Sequence, residues 1–111
     1  MPEEKIPISD FARLDIRTGE ILSAEPVEGA DRLYRVSVDI GEPAPRQTVA
    51  GIRRWYGAGE LAGKKVIFLA NLEPARIRGV ESQGMILAAE GQDGISLLQP
   101  DRPLPNGCRV R

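Results

Sequence analysis

Residues 14–24, LDIRTGEILSA, and residues 34–40, YRVSVDI, carry the pattern that decides the fold. In the second segment Tyr34, Val36, Val38 and Ile40 alternate with Arg35, Ser37 and Asp39, the period of a strand with one buried and one polar face. In the first, Leu14 and Ile16 share a parity that Ile21 breaks. The switch straddles Gly19, the residue type expected where a strand bulges or bends sharply. Residues 14–24 therefore read as one bent strand, and a bent strand beside a regular one is what closing a small barrel requires.

Working outward, residues 47–52 read as a third strand, 65–71 as a fourth that is buried on both faces, and 84–90 as a fifth. Helix signals are short: one capped turn over 9–13 and a glycine-interrupted helix over 53–61. The expected fold is all-β, a five-stranded barrel of the OB type with short helices and a C-terminal β extension. Residues 94–99 read as a hairpin partner strand, and 100–107, with three prolines, as an ordered loop or extended arm. The chain accordingly divides into a lead-in at 1–10, a barrel core at 11–91 and an extension at 92–111. No internal repeat or low-complexity segment interrupts it.

Composition narrows the function. At 111 residues there is room for one hydrophobic core. The absence of histidine rules out Ser-His-Asp and Cys-His catalysis and histidine metal sites. A lone Cys108 forms neither an intramolecular disulfide nor a cysteine cluster, so no metal or other cofactor is expected. Without a signal-like N-terminal apolar run the expected location is cytoplasmic. The longest apolar run, Val66-Ile67-Phe68-Leu69-Ala70, is far short of the roughly 20 residues of a membrane helix.

The formal net charge of −1 conceals a division of charge. Between Pro43 and Val80 stand seven basic residues (Arg46, Arg53, Arg54, Lys64, Lys65, Arg76, Arg78) against two acidic ones (Glu60, Glu73). Arginine outnumbers lysine twelve to three, a bias that suits planar recognition of phosphates or bases, although rim salt bridges would use the same residues.

The densest chemistry lies in residues 70–89, ANLEPARIRGVESQGMILAA. It is no phosphate-binding loop, because neither GxxxxGK[ST] nor GxGxxG opens a helix here. As a structural turn it is adequate, with Gly79 supplying a positive φ and Glu81 and Ser82 solvating the bend. As a nucleic-acid surface it offers Arg76 and Arg78 for phosphates, Asn71 and Ser82 for polar contacts, and Met85 as an adaptable apolar surface against a base or ribose.

This stretch, with FARLDIRTGEI, EGADRLYRVSVDIG and VAGIR upstream, closely resembles the tRNA-binding domain family, over about residues 11–110. That family includes free-standing tRNA-binding proteins and the C-terminal domain of many methionyl-tRNA synthetases. RGVES-x-GM is also similar to a domain of phenylalanyl-tRNA synthetase β chains, and the continuation into ILAA favours the methionyl type. No catalytic half of a synthetase is present, so a free-standing module or separate subunit is expected.

The resemblance implies an OB barrel that recognises tRNA by shape and backbone, and a homodimer jointed partly through the extension at 94–110. By motif matching it implies that Arg32, Asn71, Arg76, Arg78, Ser82 and Met85 line the RNA surface. Arg53 and Arg54 rank below them, as phosphate contacts or salt-bridge partners, and Arg17 is expected to be structural. Tyr34 and Phe68 are expected to be buried and Phe11 to cap the barrel. Trp55 and Tyr56 would either stack bases or form a hydrophobic lid or dimer contact.

Two further readings differ in class. A related branch of the fold resembles an export-associated chaperone whose dimeric barrel grips peptides, and Trp55-Tyr56 would suit it. An enzyme is disfavoured, because no nucleophile stands beside a base and pairs such as Asp10 and Asp15 or Glu25 and Glu28 are ordinary solvated charges.

Overall fold

The computed structural model describes residues 4–111. Its elements in chain order are α1 (Ile8–Ala12), β1 (Ile16–Pro26), β2 (Tyr34–Asp39), β3 (Arg46–Ala50), α2 (Ala58–Leu61), β4 (Lys65–Leu69), β5 (Ala75–Ile77), β6 (Val80–Ser82), β7 (Met85–Ile86), β8 (Ala88–Gly91) and β9 (Gly94–Leu97). Five of them form one antiparallel sheet in the order β3-β2-β1-β4-β7, and β5-β6 and β8-β9 are separate hairpins. The result is a nearly closed five-stranded barrel, as the strand pattern led us to expect.

β1 makes closure possible by serving two partners. Ile16 to Glu20 pair with β4, and Glu20 to Pro26 pair with β2, so the strand turns from one neighbour to the other at Gly19-Glu20. A Cβ on Gly19 would stand 3.0 Å from the Asp39 carbonyl oxygen and 3.1 Å from the Val38 and Ile40 side chains, so a larger residue would push β2 away. The register shift itself lies between Ile21 and Ser23, and Leu14, expected within the strand, precedes it and is exposed.

The alternating face of β2 fills the barrel: Val36, Val38 and Ile40 are fully buried, together with Ile21, Val66 and Phe68. Leu61 of α2 closes one end of this core, also fully buried. Burying one such side chain stabilises the fold by roughly 1.5–3 kcal/mol. Tyr34 is buried too, and its hydroxyl donates to the Tyr56 carbonyl at 2.8 Å.

The open side, between β3 and β6-β7, is closed largely through side chains. The Gln83 N–H donates to the Gln47 carbonyl at 2.8 Å, and Gln47 returns bonds to the Gln83 side chain and the Glu81 carbonyl, each 2.9 Å. Inside this seam the Thr48 hydroxyl donates to the Gly84 carbonyl at 2.7 Å, and the Val49 N–H donates to the Ser82 hydroxyl at 3.2 Å.

Several expectations shift at their edges. The fifth strand is split into β7 and β8 at Leu87, and the helix expected over 53–61 is reduced to α2, the segment before it forming a turn in which the Trp55 and Tyr56 N–H groups donate to the Ile52 carbonyl. Phe11 does not cap the barrel: no residue of α1 is buried, and Phe11 is 36% exposed. Gly91 and Gly94 pair at the turn of the β8-β9 hairpin. Residues 1–3 of the expected lead-in lie outside the described residues.

The extension returns to β1. Thr18 donates its hydroxyl to the Pro105 carbonyl at 2.8 Å and accepts at the same oxygen from the Cys108 N–H at 2.9 Å. Backbone bonds join Thr18 to Cys108 and Gly107, and Ile16 to Val110. The tail thus covers the β1 edge that β2 leaves open.

Candidate nucleic-acid interface

Twelve arginines enter this fold, and their partners divide them. Arg17 binds Asp15 at 2.9 Å and reaches Glu42 at 3.7 Å; Arg46 binds Glu42 at 2.7 Å. Arg46 also donates to the carbonyls of Ala70 and Gln83, each at 2.9 Å, which ties β3 to the far side of the seam. The guanidinium of Arg17 holds the Asp15 carboxyl below its usual range, and that of Arg46 does the same to Glu42. These arginines hold the barrel together, the structural role expected for Arg17 and, for Arg46, the salt bridge that the charge count left open beside phosphate recognition. Arg35 pairs with Glu25 at 2.8 Å.

Among the described residues, the other nine arginines have no carboxylate partner, and Arg32, Arg53, Arg54, Arg76 and Arg78 are those of the β1-β2 loop, the turn after β3 and the β5-β6 hairpin. Arg32 projects from the loop between β1 and β2, and Arg78 from the tip of the β5-β6 hairpin; both are exposed. The two line one cleft of about 390 Å³ with Gly29, Ala30, Asp31 and Leu33. Arg78 also lines the adjoining cleft beside Arg35, Glu28 and Val80. Arg35 was not foreseen as a neighbour, because its place on the polar face of β2 distinguishes it from no other solvated charge.

The backbone at Arg78 is unusual. Ile77 pairs with Val80, leaving Arg78-Gly79 as a two-residue turn with φ of 52° and 80°. Such a turn requires positive φ at both central residues and favours Asn or Gly at the first. Arg78 is the one non-glycine residue with positive φ among the described residues. A left-handed conformation costs an ordinary side chain about 1–2 kcal/mol. Strain of this kind persists where the surrounding structure imposes it, and it clusters at binding sites. Arg76, also exposed, donates to the Gly79 carbonyl at 2.8 Å and so braces the same turn.

The other expected residues are distributed elsewhere. Ser82 does not line the surface: it is 7% exposed, its hydroxyl 3.0 Å from that of Thr48 within the seam. Asn71 is exposed but occupied, its Oδ1 accepting from the Asp15 N–H at 2.8 Å and its Nδ2 donating to the Arg13 carbonyl at 2.7 Å. Met85, 43% exposed, opens onto a separate apolar groove of about 200 Å³ with Val49, Ala50 and Ile95. Arg53 donates to the Ala30 carbonyl at 3.1 Å, which lodges its side chain against the Arg32 loop, and Arg54 is exposed.

The family model described as "Putative tRNA binding domain" matches residues 16–109. A methionine–tRNA ligase of Methanosarcina acetivorans is 50% identical over 118 residues, covering 98% of this chain and 17% of that protein. The chain spans about a sixth of the length of such relatives. A MetRS-related protein from Pyrococcus horikoshii superimposes with a TM-score of 0.89 at 36% identity, covering 97% of this chain and 99% of that one. The chaperone CsaA from Bacillus anthracis str. Ames superimposes at 0.88 with 29% identity, over 97% and 100% of the two chains.

Proposed function

The chain belongs to the tRNA-binding domain family, and from that premise we propose that it is a non-catalytic module that holds tRNA by shape and backbone. The observation that carries this reading is the convergence of Arg32 and Arg78, without carboxylate partners, on one cleft. They come from the loop after β1 and the insertion between β4 and β7, the two connections through which OB barrels grip nucleic acid. Phosphate contacts supply the affinity, and Arg76, Arg53 and Arg54 extend the basic path. Met85 meets a base or ribose from its apolar groove. Ser82 and Asn71 act at one remove, by fixing the seam and the entry to β1.

The module acts in the cytoplasm, alone or tethered to an aminoacyl-tRNA synthetase of the methionyl type, where tethering raises the effective concentration of a weakly bound tRNA. It does so as a homodimer. α1 turns Ile8 and Phe11 outward into an apolar groove of about 400 Å³ that includes Leu14 and Val110, a surface suited to a second copy. The extension thus contributes its last residues to the joint.

The test is a mobility shift with mixed tRNA, single-stranded RNA and duplex RNA at two salt concentrations, with mass by light scattering on the same sample. Selective, salt-sensitive retention of tRNA by a dimer is the expected result. Failure to bind any RNA at low salt, with tight binding of apolar peptides, would overturn it.

A further inference from the structure

The adjacent aromatics Trp55 and Tyr56 separate in the fold. The Tyr56 hydroxyl accepts from the Leu97 N–H at 3.1 Å and its ring packs against the core, so it is a structural residue. Trp55 is 42% exposed, on a turn whose N–H groups are bonded back to Ile52. One side of its ring is nevertheless packed. The pyrrole side lies against the backbone of Gly94, where a Cβ would stand 2.7 Å from Nε1 and 2.8 Å from Cδ1. Gly94 has a φ of 148°, so any other residue would be strained there and would displace the indole.

The turn that carries this ring is bonded to the loop that carries Arg32. The Arg53 N–H donates to the Arg32 carbonyl at 3.3 Å, and the Arg53 guanidinium to the Ala30 carbonyl, so the Trp55 turn is tied to the loop that carries Arg32. Arg54, next to the ring in sequence, is exposed and has no carboxylate partner among the described residues. An exposed aromatic ring and an arginine without a carboxylate partner, carried by one turn, are the pair of groups that a nucleotide takes, base on ring and phosphate on cation.

We propose that Trp55 is a stacking platform for one unpaired base of the bound RNA, with Arg54 on that nucleotide's phosphate. The inference rests on the tRNA-binding reading and adds a requirement that shape alone does not impose. A folded RNA must present an unstacked base within reach of the turn. A fully paired duplex, whose bases are stacked on one another, satisfies the arginines but not the ring.

Trp55 is the one tryptophan of the chain, so its emission reports the site directly. The full-length protein is titrated with a tRNA transcript and with a blunt RNA duplex. Binding is followed by anisotropy of labelled RNA, and stacking by quenching of the indole. The expected result is quenching by the transcript and none by the duplex. Trp55→Ala should weaken transcript binding about tenfold and leave duplex binding unchanged, with Trp55→Phe retaining most of the affinity. Thermal unfolding of both variants verifies that they fold. Transcript binding without quenching, or undiminished in Trp55→Ala, overturns the platform and leaves the tRNA module standing. Emission that shifts with protein concentration alone assigns the ring to a protein contact and overturns it equally. Absence of all RNA binding overturns the platform together with the module.

Discussion

Replacing Arg78 with Asn separates binding from stability, because the two should move in opposite directions. The residue holds φ at 52° in the β5-β6 turn, a conformation that costs an arginine about 1–2 kcal/mol and that Asn adopts with least resistance. Relief of most of that strain should stabilise the protein by about 1 kcal/mol. In a domain of this size that raises the thermal midpoint by about 4–8 °C. Arg78 has no carboxylate partner among the described residues, so its removal takes away no ion pair to offset the gain. Affinity for tRNA should fall, and the slope of log affinity against log salt should flatten by about one, the signature of one lost phosphate contact. Calorimetric unfolding and a salt series of tRNA titrations on the same preparation measure both quantities. A variant that is less stable than its parent, or that binds with an unchanged salt slope, would refute the reasoning that strain is maintained here for the sake of a phosphate.

Other perturbations test neighbouring parts of the argument. Ser82→Ala leaves the Val49 N–H without its acceptor in the seam, and urea unfolding should register a loss of about 1–3 kcal/mol with no change in the salt slope of tRNA binding. Thr18→Val removes one donor and one acceptor from the tail and should cost a similar amount, about 1–3 kcal/mol, with faster hydrogen exchange at Cys108. The Asp15 and Glu42 carboxyls titrate below their ordinary values, so their contribution is complete above the unfolded-state values near pH 4 and is lost as the pH falls through the depressed folded values. The thermal midpoint should therefore hold between about pH 5 and 7 and decline below about pH 4, and Glu42→Gln should flatten that decline. Phe11→Asp should abolish the proposed dimerisation, read as a monomer mass by light scattering, without unfolding the chain, since Phe11 lies outside the buried core.

The fold was legible where burial alternates with a short period. Tyr34, Val36, Val38 and Ile40 announce β2 because every second side chain enters the barrel. Gly19 announces the turn of β1 from one partner to the next. The β5-β6 hairpin went unread because Arg78-Gly79 lacks the Asn-Gly or Asp-Gly signature, the strain at Arg78 being invisible in its letter. Ser82 was misplaced for a different reason. In RGVESQG it stands within a polar run that reads as a solvated bend, yet its partners Thr48 and Val49 are more than thirty residues away, and only the closed barrel shows that its hydroxyl is satisfied inside. Arg46 and Arg78 look alike in the charge count. What distinguishes them is Glu42, which the loop before β3 brings back onto Arg46 and no loop brings to Arg78.

The seating of the tail on β1 also dictates an order of events during synthesis. Thr18 meets Pro105 and Cys108 across separations of 87 and 90 residues, so its half of β1 cannot be completed until residue 110 has left the ribosome. At about 5–20 residues per second the nascent chain carries that bare strand edge for several seconds. An unpaired edge is a template for association with another chain. Seating of the tail is therefore a late step for this protein, after every residue of the seam between β3 and β6-β7 has been made.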